Sequence, residues 1–343
     1  MKQAFDDIAE NTALRMRLAD DILGGTLSHA YIIEGERGSG KHMLALRIAA
    51  ALSCEKKDDP SLPLPCRTCP SCRKILSGNS PDVIYIGRGD KATLGVEAIR
   101  NLKQDVYVAP NDVAAKVYII EDAHLMTVQA QNALLLTLEE PPAYVVFLLL
   151  CESTATLLET IRSRAPTLRT EPINCEMIGA HLCRVNSDAA TLKNSAPQEF
   201  GEIIAAANGS IGRALSLLDA KARKPIIARR MAAREFVQLC SSDRNAAAVI
   251  RFLNTLGQKR EELTEQLGVI LICLRDLLLC KQTENAPLCF FSDREEAFAL
   301  SYQFTTPELL RLCDCVCDAV AQLRINANVR LTLTGFATGA GLL

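Results

Sequence analysis

Three groups of residues have the types and spacing to do chemistry. Gly35-Glu36-Arg37-Gly38-Ser39-Gly40-Lys41 follows an apolar run at 30–34 and opens a helical pattern. Strand, loop and helix in that order are the context a phosphate-binding loop requires. Gly35, Gly38 and Gly40 let the backbone curl so that successive N–H groups point inward. The helix N-terminus adds a favourable dipole, and Lys41 brings a cation to the outer phosphates. A Ser or Thr should follow the lysine to hold Mg²⁺. Here it is His42, and imidazole is a poor ligand for a hard, oxygen-seeking ion. The expectation is weak ATP binding with negligible Mg²⁺-dependent hydrolysis; the plainer alternative is a simple turn.

The second group is Glu121-Asp122, at the end of the apolar run Val117-Tyr118-Ile119-Ile120. In a hydrolysing site an Asp comes first and organises the metal, and a Glu follows and polarises the attacking water. The order is reversed here, so each side chain differs by one methylene from its counterpart. A misplacement of about 1 Å costs on the order of 100-fold in rate. An ordinary solvated acidic turn is the competing reading. The third group is Cys66, Cys69 and Cys72 at two-residue spacings, with Cys54 upstream. Four thiolates suit a tetrahedral Zn²⁺ with no open position, which makes the site structural rather than catalytic. Eleven residues separate Cys54 from Cys66, which makes it the most remote of the four; unliganded thiols are the alternative.

The elements that must position these groups alternate in the first half of the chain. Apolar runs at 30–34, 82–86, 117–120, 145–151 and 167–169 read as strands. Patterns at 43–52, 96–108 and 128–138 read as helices. Short apolar strands between helices imply an α/β fold with a parallel sheet covered on both faces. Prolines 60, 63, 65 and 70 argue against regular structure around the cysteines. After about residue 172 the strand signal ends. Residues 176–218 read as a small helical unit, and those from about 223 onward as a separate all-helical one.

The bulk numbers narrow the class. The chain has 343 residues, 49% hydrophobic and 5% aromatic, with a net charge of −2. That is enough for two or three domains, and it lacks the basic excess of a protein that grips nucleic acid alone. The most apolar runs, 145–151 and 269–280, are short or interrupted by Arg275 and Asp276, so no membrane span is expected. The first residues carry no signal-peptide core. A cytoplasmic chain with reduced thiols follows. Of the 14 cysteines, Cys183, Cys240, Cys273 and Cys280 fall in apolar helical patterns and read as small core residues.

These motifs together resemble the bacterial clamp-loader ATPases of the AAA+ class. The resemblance rests on Ser28-His29-Ala30-Tyr31 leading into the loop, the cysteine module, and Asn132-Ala133-Leu134-Leu135-Leu136-Thr137-Leu138-Glu139-Glu140-Pro141-Pro142. Thr160-Ile161-Arg162-Ser163-Arg164 and Ala207-Asn208-Gly209-Ser210-Ile211-Gly212-Arg213-Ala214-Leu215 extend it. It covers about residues 5–218. The last third fits only as a helical region of suitable length. Ala165 stands where the family's serine–arginine motif usually ends in Cys, and Leu136 where NALLK has Lys. A polar sensor position falls near Glu152. His42 and the Glu121–Asp122 order resemble delta-prime-type subunits more than gamma/tau motors.

The resemblance implies an AAA+ domain with a zinc module over 1–172, a helical lid over 173–220 and a helical collar over 221–343. It implies a component of the DNA polymerase III holoenzyme that partners delta, gamma/tau, the sliding clamp and primed DNA. Its own ATPase would be weak or absent. Arg213, in the lid motif, would contact nucleotide. Arg164, on the face away from the chain's own loop, would serve a neighbour's ATP in trans, with Arg162 a nearby competitor and a surface ion pair the plain alternative. A gamma/tau-like motor and a zinc-bearing nucleic-acid module are the competing functions; near-neutral charge and few aromatics disfavour the latter.

Overall fold

The computed structural model describes residues 4, 5, 8, 12–171, 173–241, 246–256, 259–283, 288–325 and 327–340. Pro172, where the sequence ends its first domain, and much of the N-terminal segment lie outside them. The chain divides into two units, Met1–Ile173 and Asn174–Leu343.

In the first unit, β1 (Ala30–Glu34), β2 (Val83–Ile86), β3 (Lys116–Ile120), β4 (Val145–Cys151) and β5 (Thr167–Arg169) form one five-stranded sheet in the order β2-β3-β4-β1-β5. Every pairing is parallel. Every residue of β3 and β4 is buried, which is why these strands are continuous apolar runs rather than alternating ones. One face packs on α1 (Thr12–Gly24), α2 (Lys41–Leu52) and α3 (Pro70–Leu76) through Leu18, Ile48 and Ile75. The other packs on α4 (Val96–Asp105) and α5 (Val128–Glu139) through Ile99, Leu102 and Leu134.

Three local details depart from the sequence reading, each for a physical reason. The second strand starts at Val83, not at 82. Asp82 is 1% exposed, and its carboxylate accepts the N–H groups of Asn111 (2.7 Å), Asp112 (2.8 Å) and Val113 (3.2 Å), tying down the loop ahead of β3. The helix expected to run to 108 stops at Asp105, because the Lys116 ammonium takes the carbonyls of Asp105 (2.8 Å) and Val108 (3.1 Å). The cysteine segment is not irregular throughout. Pro70 occupies the first turn of α3, where its missing N–H costs nothing and its fixed φ is already helical.

All described elements of the second unit are helices: α7 (Cys175–Val185), α8 (Ser187–Ser195), α9 (Pro197–Ala206), α10 (Ile211–Ser216), α11 (Ala220–Ser241), α12 (Ala246–Thr255), α13 (Arg260–Gln282), α14 (Arg294–Ser301), α15 (Thr306–Arg324) and α16 (Val329–Gly339). The larger core lies between α11, α13, α15 and α16 and includes Phe236, Leu267, Leu274, Val316 and Phe336. Cys240, Cys273 and Cys280 are buried in it as expected, whereas Cys183 is only half-buried. No described helix is long and apolar enough to cross a membrane.

Candidate functional site

The strands β1 and β3 lie on either side of β4 in a parallel sheet, so their C-terminal ends open on the same edge. Crevices at that edge are where open α/β sheets bind ligands. The loop after β1 curls through Gly38 and Gly40, whose φ angles of 81° and 87° suit glycine and strain other residues. Gly35 is required for a different reason: a Cβ there would lie 1.8 Å from the Thr170 hydroxyl. That hydroxyl sits 2.8 Å from the Ser39 hydroxyl, and the Thr170 backbone donates to Glu34 O at 2.9 Å. A residue just past β5 thus braces the loop.

Lys41 donates to the carbonyls of Gly35 (2.6 Å) and Glu36 (2.7 Å). Burial pushes its ammonium below the usual lysine value, and the charges of Glu152, Asp122 and Glu36 oppose that push. Glu34, just before the loop, accepts from Thr154 N (2.9 Å), Thr154 Oγ1 (3.0 Å) and Arg169 Nε (2.9 Å). Burial works to raise its carboxyl, but these bonds outweigh it and hold the group below its ordinary value.

The acidic strand end is already partnered. His42 Nδ1 lies 3.5 Å from Glu121 Oε1. The other carboxylate oxygen of Glu121 rests where a side chain on Gly87 would be, 2.9 Å from the position of a Cβ. Glycine at 87 therefore gives the longer side chain its room. Asp122 has a left-handed φ of 48°, and its Oδ2 accepts from Arg88 Nε at 3.3 Å.

Arg164 follows the one-turn helix α6 (Glu159–Arg162), which Gln131 of α5 helps to place by accepting from Leu158 N (2.8 Å) and donating to Thr156 O (3.2 Å). The Arg164 side chain is 38% exposed, and its guanidinium pairs with Glu139 at 2.8 Å while also donating to Thr160 O at 3.0 Å. Arg213 is half-buried on α10 of the second unit. The structure therefore brings Gly35, Gly38, Gly40, Lys41, His42, Glu121 and Asp122 together and holds Arg164 on a different partner.

Cys54, Cys66, Cys69 and Cys72 are all buried, and their sulfurs lie within 4.8 Å of one another. A tetrahedral zinc with Zn–S of about 2.3 Å needs sulfurs roughly 3.8 Å apart; Cys66 and Cys72 are at 3.9 Å. Arg67 takes a left-handed φ of 61° beside the first knuckle cysteine. The Cys66 sulfur accepts from Cys69 N (3.3 Å) and Thr68 Oγ1 (3.5 Å), and Cys69 Sγ accepts from Cys72 N (3.4 Å). Burial opposes ionisation of Cys66, yet these donors bring its thiol down to about 6. The donor set and spacing fit a structural zinc.

Sequence reasoning missed Arg88, Glu139 and Thr170. None of the three had a signal in the sequence: Arg88 flanks Glu121 and Asp122 only because Ile86 pairs with Ile120 in the folded sheet.

The strand order, the loop behind β1 and the carboxylates behind β3 define a P-loop protein of the AAA+ class. A family described as DNA polymerase III, delta subunit, matches residues 10–174. The tau subunit of DNA polymerase III from Bacillus subtilis is 32% identical over 292 residues, covering 81% of this chain and 50% of tau. That of Escherichia coli is 34% identical over 217 residues, covering 63% of this chain and 33% of tau. The chain spans half or less of these relatives' length. A solved gamma subunit-related protein from Thermotoga maritima covers 95% of this chain and 98% of its own at 19% identity, with a TM-score of 0.44, too loose a likeness to add weight. By these sequence matches the chain is similar to the delta and tau subunits of DNA polymerase III.

Proposed function

We propose that the chain is a delta-prime-type clamp-loader subunit, acting as stator and as donor of Arg164 to the ATP of a neighbouring motor. One observation carries the reading: both carboxylates of the acidic strand end are already engaged, Glu121 by His42 at 3.5 Å and Asp122 by Arg88 at 3.3 Å. A chain whose own hydrolytic groups are diverted contributes to catalysis from another position. In this reading 1–172 is the AAA+ domain, 173–220 a lid carrying Arg213 toward nucleotide, and 221–343 an assembly collar. The cysteine quartet holds zinc. The partners are delta, gamma/tau, the sliding clamp and, through the assembled complex, primed DNA, all in the cytoplasm.

The guanidinium of Arg164 is suited to the role because its planar fork can engage two phosphate oxygens, which lysine cannot. Reconstitution with Arg164→Ala in this chain alone tests it. The complex assembles and binds ATP at its other subunits, and clamp- and DNA-stimulated hydrolysis falls by at least about tenfold, less than the roughly 10³–10⁵ of GTPase fingers. Arg164→Lys is expected to restore little. Unchanged clamp loading by a complex verified to contain the variant would exclude Arg164 as the finger. The intact glycines and Lys41 favour a second reading, a gamma/tau-like motor. Turnover of ATP by the isolated chain at about 1 s⁻¹ or more would select it.

A further inference from the structure

The two halves of the nucleotide site disagree about metal. The phosphate half is intact: Gly38 and Gly40 hold left-handed φ angles, α2 begins at Lys41, and Lys41 rests on loop carbonyls that an incoming phosphate can replace. The metal half is not. Mg²⁺ demands a nearly octahedral shell of oxygens at about 2.0–2.1 Å. The side chain after Lys41 offers nitrogen instead of oxygen, and it lies 3.5 Å from Glu121 Oε1. The second oxygen of Glu121 is seated against Gly87, and Asp122 is held by Arg88 at 3.3 Å. A divalent ion would have to displace the imidazole to reach Glu121 Oε1 and the guanidinium to reach Asp122 Oδ2.

We infer that this loop takes ATP as the bare polyphosphate anion, without a divalent cation, the complement coming from the loop N–H groups and Lys41. The His42–Glu121 pair stands across the seat the ion would use. Mg²⁺ in solution then competes with the loop for the phosphates instead of bridging to them. The inference rests on the reading of residues 35–42 as a nucleotide site and not on the role of Arg164.

The test is calorimetric titration of ATP into the full chain, once with excess EDTA and once with excess Mg²⁺. The affinity in EDTA is expected to equal or exceed that in Mg²⁺, and Lys41→Ala to lose binding in both. The double variant His42→Thr/Glu121→Asp, which restores oxygen ligands, is expected to gain about tenfold or more from Mg²⁺. A wild-type chain that Mg²⁺ tightens by about tenfold overturns the inference, as does absence of binding in EDTA up to about 1 mM ATP. A folded double variant that gains nothing from Mg²⁺ removes the assigned cause. The wild-type comparison decides the matter even where the double variant fails to fold. None of these outcomes touches the Arg164 experiment, which is read in the assembled complex.

Discussion

Lys116 is a buried cation, its side chain only 5% exposed, and it stands at the start of β3, the end opposite Glu121 and Asp122. Its ammonium lies 2.9 Å from Asp105 Oδ2, and the Tyr118 hydroxyl donates to the same oxygen at 2.7 Å. Burial alone would raise the Asp105 carboxyl, but the bonds from Lys116 and Tyr118 outweigh it and hold it below the ordinary aspartate value. A carboxylate lowered on folding contributes stability above its unfolded value, and that contribution is lost as pH falls through the folded one. Asp105→Asn should therefore cost about 1–2 kcal/mol near pH 7, discounted from the fully buried case because Asp105 is 43% exposed. Urea unfolding followed toward about pH 2 should show the gap between variant and wild type closing. A gap independent of pH would show that the loss is one of packing. The same residue shows the limit of periodicity. The apolar spacing of 96–108 carries no sign that a lysine far along the chain will claim the carbonyls that end the helix.

At the level of elements, α2 joins two kinds of chemistry. The phosphate loop precedes its first turn, and Cys54 follows its end, with Cys72 Sγ donating to Ala50 O at 3.5 Å. The four cysteines share one buried cluster with Ile48, Ile33 and Val117, so the module is part of the sheet's core and not an appendage. Purified protein should contain one zinc per chain, lost on acidification as the thiolate ligands take up protons. Cys69→Ser should destabilise the first unit by more than about 4 kcal/mol, the scale of losing a metal site, read by thermal melting alongside metal analysis. Zinc content well under one per chain would sink the assignment. This quartet was legible because two-residue spacing is a local signal, and so were the loop glycines and the wholly apolar strands. Arg88, Glu139 and Thr170 were not legible. Each acts on a residue at least 25 positions away in sequence, as with Glu139 and Arg164, and no spacing announces such a pairing. The prolines around the cysteines misled in a different way. Proline forbids the interior of a helix yet favours its first turn, and only the backbone shows which case applies.

The two units of the molecule differ in what holds them. The first is organised by a sheet, and its buried Asp82 and Lys116 hold the segment between α4 and β3. The second is helical, and its buried charges serve the fold. Asp276 is fully buried and accepts the N–H groups of Cys289 (2.8 Å), Phe290 (2.6 Å) and Phe291 (3.3 Å), while Arg230 donates to the Phe290 carbonyl and covers its ring. Burial raises the Asp276 carboxyl, and the three N–H bonds counter it. The helical content of this half was readable from its periodicity. This knot was not, because it joins α13 to a loop with no pattern of its own.

The Thr170 brace has a mechanical consequence. Its hydroxyl holds Ser39, its backbone holds Glu34, and three residues later the first unit ends at Ile173. The phosphate loop and the strap by which the chain leaves the sheet are thus one hydrogen-bonded object. A polyphosphate that draws Ser39 inward slackens the strap. Saturating ATP should then speed tryptic cleavage after Arg169, whose side chain is 77% exposed beside the brace. In Thr170→Val, which has no hydroxyl to offer Ser39, cleavage should be fast with or without nucleotide. The masses of the two fragments report both rates, and a wild-type rate indifferent to ATP would show that the loop and the strap move independently.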